Sequence, residues 1–209
     1  MDFNTVIEKI PQKLIKNNKL EEIIKLPIIE KAASLISAGE VVAFPTETVY
    51  GLGADACNSS AVKKIFKAKG RPQDNPLIVH VADMQQFRSV VRGEIDKEIT
   101  LLLKKFWPGP LTVVLNKSNL VADRTTAGLN TVAVRMPSHV VALSLIKKAN
   151  TPLSAPSANT SGLPSPTRAS HVFDDFKGKI PLIIDGGPSE VGVESTVITF
   201  ENNRIIILR

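Results

Sequence analysis

Several short clusters of hydroxyl, amide and cationic side chains could bind an anionic substrate. The first, PTETVYGLG at 45–53, follows an apolar segment and combines two glycines with hydroxyl side chains. A loop of this kind at the end of a strand brings O–H and backbone N–H groups to a sheet edge, where open α/β folds bind small ligands. The cluster lacks the GK[ST] ending of a P-loop, and an ordinary glycine-rich turn fits it as well.

A second cluster, KGRPQDNP at 69–76, places Lys69 and Arg71 on either side of Gly70, at the predicted end of a helix. Two fixed cations beside a glycine could hold phosphate or bicarbonate oxygens, since arginine binds oxyanions in a bidentate manner and lysine acts as a point charge. Basic side chains at a helix C-terminus also complement the helix dipole. A purely structural role for this pair therefore stays open.

The third cluster, SAPSANTSGLPSPT at 154–167, has small hydroxyl residues that would let backbone amides approach a polyanion. A plain surface loop is the alternative. Arg135 lies in the apolar segment TVAVRMP and requires a partner, because an unpaired buried charge is very costly. That partner is either a ligand carboxylate or a protein acid. His80, in the apolar segment PLIVHVA, has the surroundings of a core histidine.

Other kinds of chemistry find little support in the sequence. We identify no credible Ser-His-Asp or Cys-His set, no nucleophile elbow and no spacing typical of a protein metal site. We therefore predict neither covalent catalysis nor a metal held by protein ligands. The single cysteine, Cys57, excludes a disulfide within the chain and favours a reducing compartment.

The composition is that of a globular protein with a basic surface. The 209 residues carry a formal charge of +6, which favours anionic partners such as nucleic acid or nucleotides, although the lysines are spread evenly enough for a merely solvated surface. No apolar run reaches the ~18 residues of a membrane span, and the N-terminus contains acids that a transit peptide lacks. The cytoplasm is the expected location.

The elements that must position these clusters alternate between helix and strand. Apolar periodicity predicts helices at 28–38, 59–69, 94–106 and 138–149 and a short one opened by Asp83. Strands are predicted at 40–44, 76–81, 111–115, 131–136, 152–155, 181–184, 194–200 and 204–208. We predict one α/β domain at 28–209 around a twisted mixed sheet. Residues 1–27 are predicted to form an N-terminal arm or helix of unknown role.

Separately the clusters are weak, but their order is specific. From about Ile29 to Arg209 the chain contains FPTETVYGLG, AKGRPQDNPLIVHV, FWPGPLTVVL, TVAVRMP, SAPSANTSGLPSPT, DGGPSEVGVESTV and a final ILR. Together these segments closely resemble the YrdC-like family. Its Lys-x-Arg and Ser-x-Asn signatures appear here as Lys69-Gly70-Arg71 and Ser157-Ala158-Asn159. Many longer members carry a second domain after a linker, and the signatures of this chain are most similar to theirs.

The resemblance implies a concave domain with a positively charged cavity and an L-threonylcarbamoyladenylate synthase reaction, which is a nucleotidyl transfer. The amine of L-threonine captures bicarbonate, and the resulting carboxylate attacks the α-phosphate of ATP, releasing pyrophosphate and leaving threonylcarbamoyl-AMP. Mg²⁺ would accompany ATP, held mainly by phosphates and water. A partner transferase would then modify the adenosine beside the tRNA anticodon, and a weak direct contact with tRNA is compatible with the basic charge.

The resemblance also implies site residues. L-Threonine would contact Thr48, His80, Arg135 and Ser195, with Arg135 on its carboxylate. ATP would contact Arg71, Asn75, Thr131, Ala155, Ser157, Ser165 and Arg209. Catalysis would rest on Lys69, Arg71, Ser157 and Asn159, with Lys69 and Asn159 on phosphate or carbonate oxygens.

Two other functions compete with this interpretation. A double-stranded RNA or tRNA binder agrees with the basic charge, but aromatic residues make up only 5% of the chain, so base-stacking platforms are not evident. A carbamoyl-transfer domain like that of hydrogenase maturation proteins would come with zinc-finger-like cysteines, and the chain has one cysteine.

Overall fold

Strands and helices alternate along the chain in the computed structural model, which describes residues 3–201 and 204–209. The described strands are β1 (Val6–Lys9), β2 (Val42–Phe44), β3 (Gly51–Asp55), β4 (Ile78–His80), β5 (Leu111–Asn116), β6 (Thr131–Arg135), β7 (Leu153–Ser154), β8 (Leu182–Asp185), β9 (Thr196–Glu201) and β10 (Arg204–Ile207). The described helices are α1 (Gln12–Lys16), α2 (Leu20–Ile23), α3 (Pro27–Ser37), α4 (Ser59–Lys69), α5 (Met84–Val90), α6 (Lys97–Phe106), α7 (Val140–Ala149) and α8 (Ala169–Phe176).

The strands form one mixed sheet in the order β1-β8-β2-β3-β7-β4-β6-β5-β9-β10. The pairs β1–β8, β2–β8, β4–β6 and β5–β9 are parallel, and the other neighbours are antiparallel. The prediction of an α/β fold around a twisted mixed sheet is thus confirmed. Within the described residues, no helix is both long and apolar enough to cross a bilayer.

Alternation along the strands distributes the core over both faces of the sheet, because successive side chains of a strand point to opposite sides. In β2, Val42 and Phe44 pack with α3 and α7, whereas Ala43 packs on the other face with α4 and α8. Further along the sheet, Val79 of β4 and Val134 of β6 pack with α5 and α6. The opposite face of β4 and β6 is left for the site described below.

Helix ends follow the chemistry read from the sequence. The side chain of Asn58 accepts hydrogen bonds from the backbone N–H groups of Ser60 and Ala61 and so caps α4. Gly70 ends that helix in the left-handed region, with φ of 61°. Asp83 caps α5 by accepting from the backbone of Gln86. The predicted helix from 59 to 69 and the start of the short helix after Asp83 are confirmed.

The N-terminal segment packs into the domain rather than extending from it as an arm. β1 pairs in parallel with β8, and Ile10 and Ile23 are fully buried in the core that contains α3 and α7. The four residues of β1 are too few for a periodicity signal. β1 is a strand because it forms hydrogen bonds with β8, which lies far along the chain. The sequence around residues 6–9 does not indicate this pairing.

β3 begins at Gly51, inside the cluster predicted to be a loop, so that prediction was wrong beyond residue 50. Glycines normally weaken a strand, but here they permit close packing. A Cβ atom at Gly53 would lie 2.6 Å from the ring of Phe44 on the neighbouring strand. The loop proper is therefore residues 45–50, and the glycine-rich half of the cluster forms a central strand.

Candidate active site

A cavity of about 470 Å³ lies on the face of the sheet opposite α5 and α6. Alternation explains its position, because Val79 and Val134 enter the core while their strand neighbours His80, Ala133 and Arg135 turn the other way. The loop of residues 45–50 and the loop that follows β7 close its sides.

The structure brings eleven of the thirteen predicted site residues to the cavity wall. These are Thr48, Arg71, Asn75, His80, Arg135, Ala155, Ser157, Asn159, Ser165, Ser195 and Arg209. The other two predicted residues, Lys69 and Thr131, are described by the structure but do not line the cavity. Thr131 lies on the same face of β6 as Ala133 and Arg135, one step further along the strand.

One end of the cavity is built around Arg135. Its Nη2 forms an ion pair with Oε1 of Glu47 at 2.6 Å, and both side chains are almost fully buried. Its Nη1 donates to Oγ1 of Thr48 at 2.9 Å, and its Nε donates to the carbonyl of Gly109 at 3.2 Å. Of the two partners left open by the sequence, the structure thus shows a protein carboxylate. Two guanidinium N–H groups remain for a ligand.

Two buried histidines near this end are neutral at physiological pH. Burial and the charge of Arg135 lower the pKa of His80 to about 3. Its Nδ1 lies 3.3 Å from the carbonyl of Ile78, so Nδ1 carries the proton and Nε2 is an acceptor. Burial likewise lowers the pKa of His139 to about 4, against the opposing effect of Glu47. Nδ1 of His139 caps α7 by accepting from the backbone of Val141.

These two histidines predict that the protein loses stability in mild acid. Between pH 6.5, the usual histidine value, and the lowered pKa values, the unfolded chain binds protons that the folded chain does not. The free energy of unfolding should therefore fall as pH falls, by about 1.4 kcal/mol per pH unit for each histidine. Urea unfolding at pH 7, 6 and 5 measures this slope.

The variant His139→Asn provides the control for this prediction. Asparagine can still cap α7, but it does not titrate, so the slope should decrease by the share of one histidine. An unchanged slope in the variant would show that His139 does not contribute.

The other end of the cavity is cationic. Arg71 and Arg209 both line it, and burial, together with the charge of Arg209, lowers the pKa of Arg71. Nη2 of Arg209 also donates to Oγ of Ser195 at 3.3 Å. Of the described residues on the wall, Glu194 is the acidic one; it accepts a hydrogen bond from Ser165 at 2.5 Å. That bond, with a smaller effect of Arg209, keeps the pKa of Glu194 low. This end is suited to a polyanion such as a triphosphate.

Lys69 has a different environment from the one that the resemblance implied. Its ammonium donates to the backbone carbonyls of Ser157 and Asn159, at 2.5 Å each, and the side chain is buried. Burial and the charge of Arg71 lower its pKa to about 8. Lys69 therefore holds the segment that carries Ser157 and Asn159 against the cavity, one layer behind the wall.

Unpartnered polar atoms mark where a ligand can bind. Asn159 donates from Nδ2 to the carbonyls of Thr160 and Leu163, which leaves Oδ1 as an acceptor. Within the described part of the chain, that Oδ1 and the Nε of Arg71 are buried and have no hydrogen-bond partner. Buried polar groups are normally satisfied. The described wall thus has a buried unpaired donor, Nε of Arg71, and a buried unpaired acceptor, Oδ1 of Asn159, to which a ligand can bind.

Two acidic residues of the site were not identified from the sequence. Glu47 lies within PTETVYGLG and Glu194 within DGGPSEVGVESTV, so both motifs were known. A carboxylate repels an anionic ligand, so the sequence gives no reason to include an acidic residue in a predicted polyanion site. Only the structure shows that each is paired locally, with Arg135 and Ser165 respectively.

The sequence of this chain is similar to those of known proteins. The Sua5_yciO_yrdC family model, described as Telomere recombination, matches residues 34–209. A threonylcarbamoyl-AMP synthase of Pyrococcus abyssi (strain GE5 / Orsay) is 58% identical over 181 residues, which cover 87% of this chain and 53% of that protein. One of Bacillus subtilis (strain 168) is 54% identical over 184 residues, covering 88% and 53%. The chain spans about half the length of these relatives.

A solved structure is also similar. The crystal structure of P. abyssi Sua5 complexed with L-threonine matches with a TM-score of 0.85 and 51% sequence identity, covering 100% of this chain and 57% of that one.

Proposed function

Because this chain belongs to the Sua5/YciO/YrdC family, we propose that it catalyses the formation of threonylcarbamoyl-AMP from L-threonine, bicarbonate and ATP. The observation that carries the proposal is a single cavity with two chemically different groups of side chains. Arg135, Thr48 and His80 form one group on the wall, and Arg71 and Arg209 form the other. Ser195 lies beside both groups, since its hydroxyl bonds to Thr112, the strand partner of Arg135, and accepts from Arg209 at 3.3 Å. An amino acid and a nucleoside triphosphate would bind at these two groups.

The proposed reaction proceeds in two steps. The ammonium of bound threonine first releases a proton to solvent. The amine nitrogen then bonds to the carbon of bicarbonate, and water is lost, which gives N-carboxythreonine. A carboxylate oxygen of that intermediate then bonds to the α-phosphorus of ATP, and the bond to pyrophosphate breaks. The nucleophile belongs to the substrate, so the protein has to align the reactants and stabilise charge on the phosphate.

The residues of the wall fit these tasks. Two N–H groups of Arg135 would bind the threonine carboxylate, and Ser195 would lie beside it. Arg71 and Arg209 would hold phosphate oxygens as charge develops on them. Backbone and side-chain groups of the segment from Ser157 to Asn159 would contact the nucleotide, with Lys69 holding that segment in place.

Mg²⁺ would be carried into the site on ATP. Within the described residues, no three His, Cys, Asp or Glu side chains are close enough to form a metal site. Glu194 is the carboxylate on the described wall, so the chain would contribute that one oxygen donor beside phosphate and water. The ion would neutralise charge on the phosphate oxygens.

The product would pass to a transferase that modifies the adenosine beside the tRNA anticodon, in the cytoplasm, where ATP and tRNA are available. A weak contact between this chain and tRNA belongs to the same proposal.

The test is pyrophosphate release from ATP and bicarbonate, with and without L-threonine, combined with mass detection of the adenylate. Threonine-dependent release together with the mass of threonylcarbamoyl-AMP is the expected result. Folded protein that releases no pyrophosphate would contradict the proposal, and salt-dependent RNA binding would then be measured.

Replacing Arg135 should weaken threonine binding more than ATP binding. Arg135→Lys keeps a cation beside Glu47 but removes the guanidinium N–H groups, and a tenfold or greater increase in the threonine Kd is expected from the loss of bidentate binding. Calorimetric titration with each ligand measures both constants. Equal losses for threonine and ATP would contradict the role of Arg135. Arg135→Ala is the harsher variant, because it leaves Glu47 buried without a partner.

A further inference from the structure

The buried charge of Arg135 is balanced by its own partner. Arg135 and Glu47 form a buried pair, so their charges cancel. His80 and His139, which adjoin this pair, are uncharged near neutral pH because burial lowers the pKa of each. In contrast, the nucleotide end has Arg71 and Arg209 opposed by Glu194 alone among the described residues of the wall. The cation nearest to the balanced pair is thus Arg209, which donates to Oγ of Ser195 at 3.3 Å.

Thr48 offers an acceptor beside the Arg135–Glu47 pair. The hydroxyl of Thr46 donates to the carbonyl of Val49 at 2.6 Å, so the 2.9 Å bond between Thr46 and Thr48 must use the hydrogen of Thr48. Oγ1 of Thr48 also accepts from Arg135. Because its hydrogen is committed, its remaining lone pair can only accept. A ligand group at Thr48 is therefore a donor, such as an ammonium or a hydroxyl.

A charge-balanced Arg135–Glu47 pair that offers guanidinium donors, next to a hydroxyl acceptor, matches a zwitterion. We propose that Glu47 determines the substrate specificity at Arg135: by neutralising Arg135, it makes the site select a zwitterionic amino acid over a simple anion. This inference rests on the proposed function. Glu47 acts through Arg135 and is a positioning residue, because its Oε1 is bonded to Nη2 of that arginine.

The proposal explains how one cavity keeps its substrates apart. ATP and bicarbonate are anions, and an unopposed Arg135 would attract either of them to the amino-acid end. With Glu47 in place, a carboxylate is attracted by Arg135 and repelled by Glu47, so its net attraction is small. A positive charge on the same molecule adds an attraction to Glu47 that offsets the repulsion. An amino acid carries such a charge, and its ammonium can donate to Thr48.

The test compares L-threonine with (3R)-3-hydroxybutyrate, which has the same carbon skeleton, hydroxyl and carboxylate but no ammonium. Calorimetric titration of the wild-type protein should show threonine binding at least tenfold tighter than hydroxybutyrate. In Glu47→Gln, threonine should bind more weakly and hydroxybutyrate more tightly, so that the ratio of the two constants falls at least tenfold. Glu40→Gln, which removes a carboxylate paired with Lys64 outside the cavity, should leave the ratio unchanged.

The ratio separates specificity from a merely structural effect, because a distorted site would weaken both ligands together. An unchanged ratio in Glu47→Gln would overturn the inference while leaving the proposed function intact. Should that variant not fold, the wild-type comparison is used, since hydroxybutyrate binding within tenfold of threonine would overturn the inference. A wild-type protein that does not bind threonine would overturn the proposed function and the inference with it.

Discussion

Arg71→Ala is expected to lower the rate of threonine-dependent pyrophosphate release by about 100-fold or more, the effect of removing one preorganised donor from a developing oxyanion. Arg71 lies on the cavity wall beside Arg209, and its Nε is buried without a partner in the described part of the chain. The burial and like charge that lower its pKa would be offset by phosphate. Replacing Arg71 should therefore change the free energy of unfolding little but should raise the energy of the transition state substantially.

Two further variants sharpen this prediction. Arg71→Lys keeps the charge but not the planar fork, so an intermediate rate is expected. Arg92→Ala removes an exposed arginine outside the cavity and should not change the rate. Steady-state pyrophosphate release is measured for all three, with thermal unfolding as the check on folding. A normal rate in Arg71→Ala would show that Arg71 does not bind phosphate during the reaction.

Lys69→Met is expected to reduce the same rate by about 100-fold for a different reason. The buried ammonium holds two backbone carbonyls, those of Ser157 and Asn159. Without it, each buried carbonyl loses its donor at a cost of about 1–3 kcal/mol, and the segment moves to find other partners. Displacement of positioning groups by about 1 Å is enough for a loss of that size.

Hydrogen exchange distinguishes this mechanism from direct phosphate binding by Lys69. Exchange of the backbone amides at 157–163 should become faster in Lys69→Met and remain as in the wild type in Arg71→Ala. Lys67→Met, on the exposed side of the same helix, is the matched control and should change neither the rate nor the exchange. Loss of activity in Lys69→Met with unchanged exchange would favour a direct contact with substrate.

Short-range patterns in the sequence determined the bounds of several elements, the family and most residues of the site. The caps at Asn58 and Gly70 and the periodicity between them define α4, because these signals act within a few residues. The order of the motifs indicated the family, and the family match confirms that resemblance. The motifs also contained Arg71, His80, Arg135, Asn159 and most other residues of the cavity wall.

Pairing between distant segments decided the rest. β1 became a strand because β8 lies beside it, and β3 is a strand despite its glycines because Phe44 packs across Gly53. In the same way, only the fold brings Glu47 to Arg135 and the carbonyls of residues 157 and 159 to Lys69. A sequence shows that a charge needs a partner, since burial without one is too costly. Which partner it finds depends on contacts between residues far apart in the chain, and these exist only in the tertiary structure.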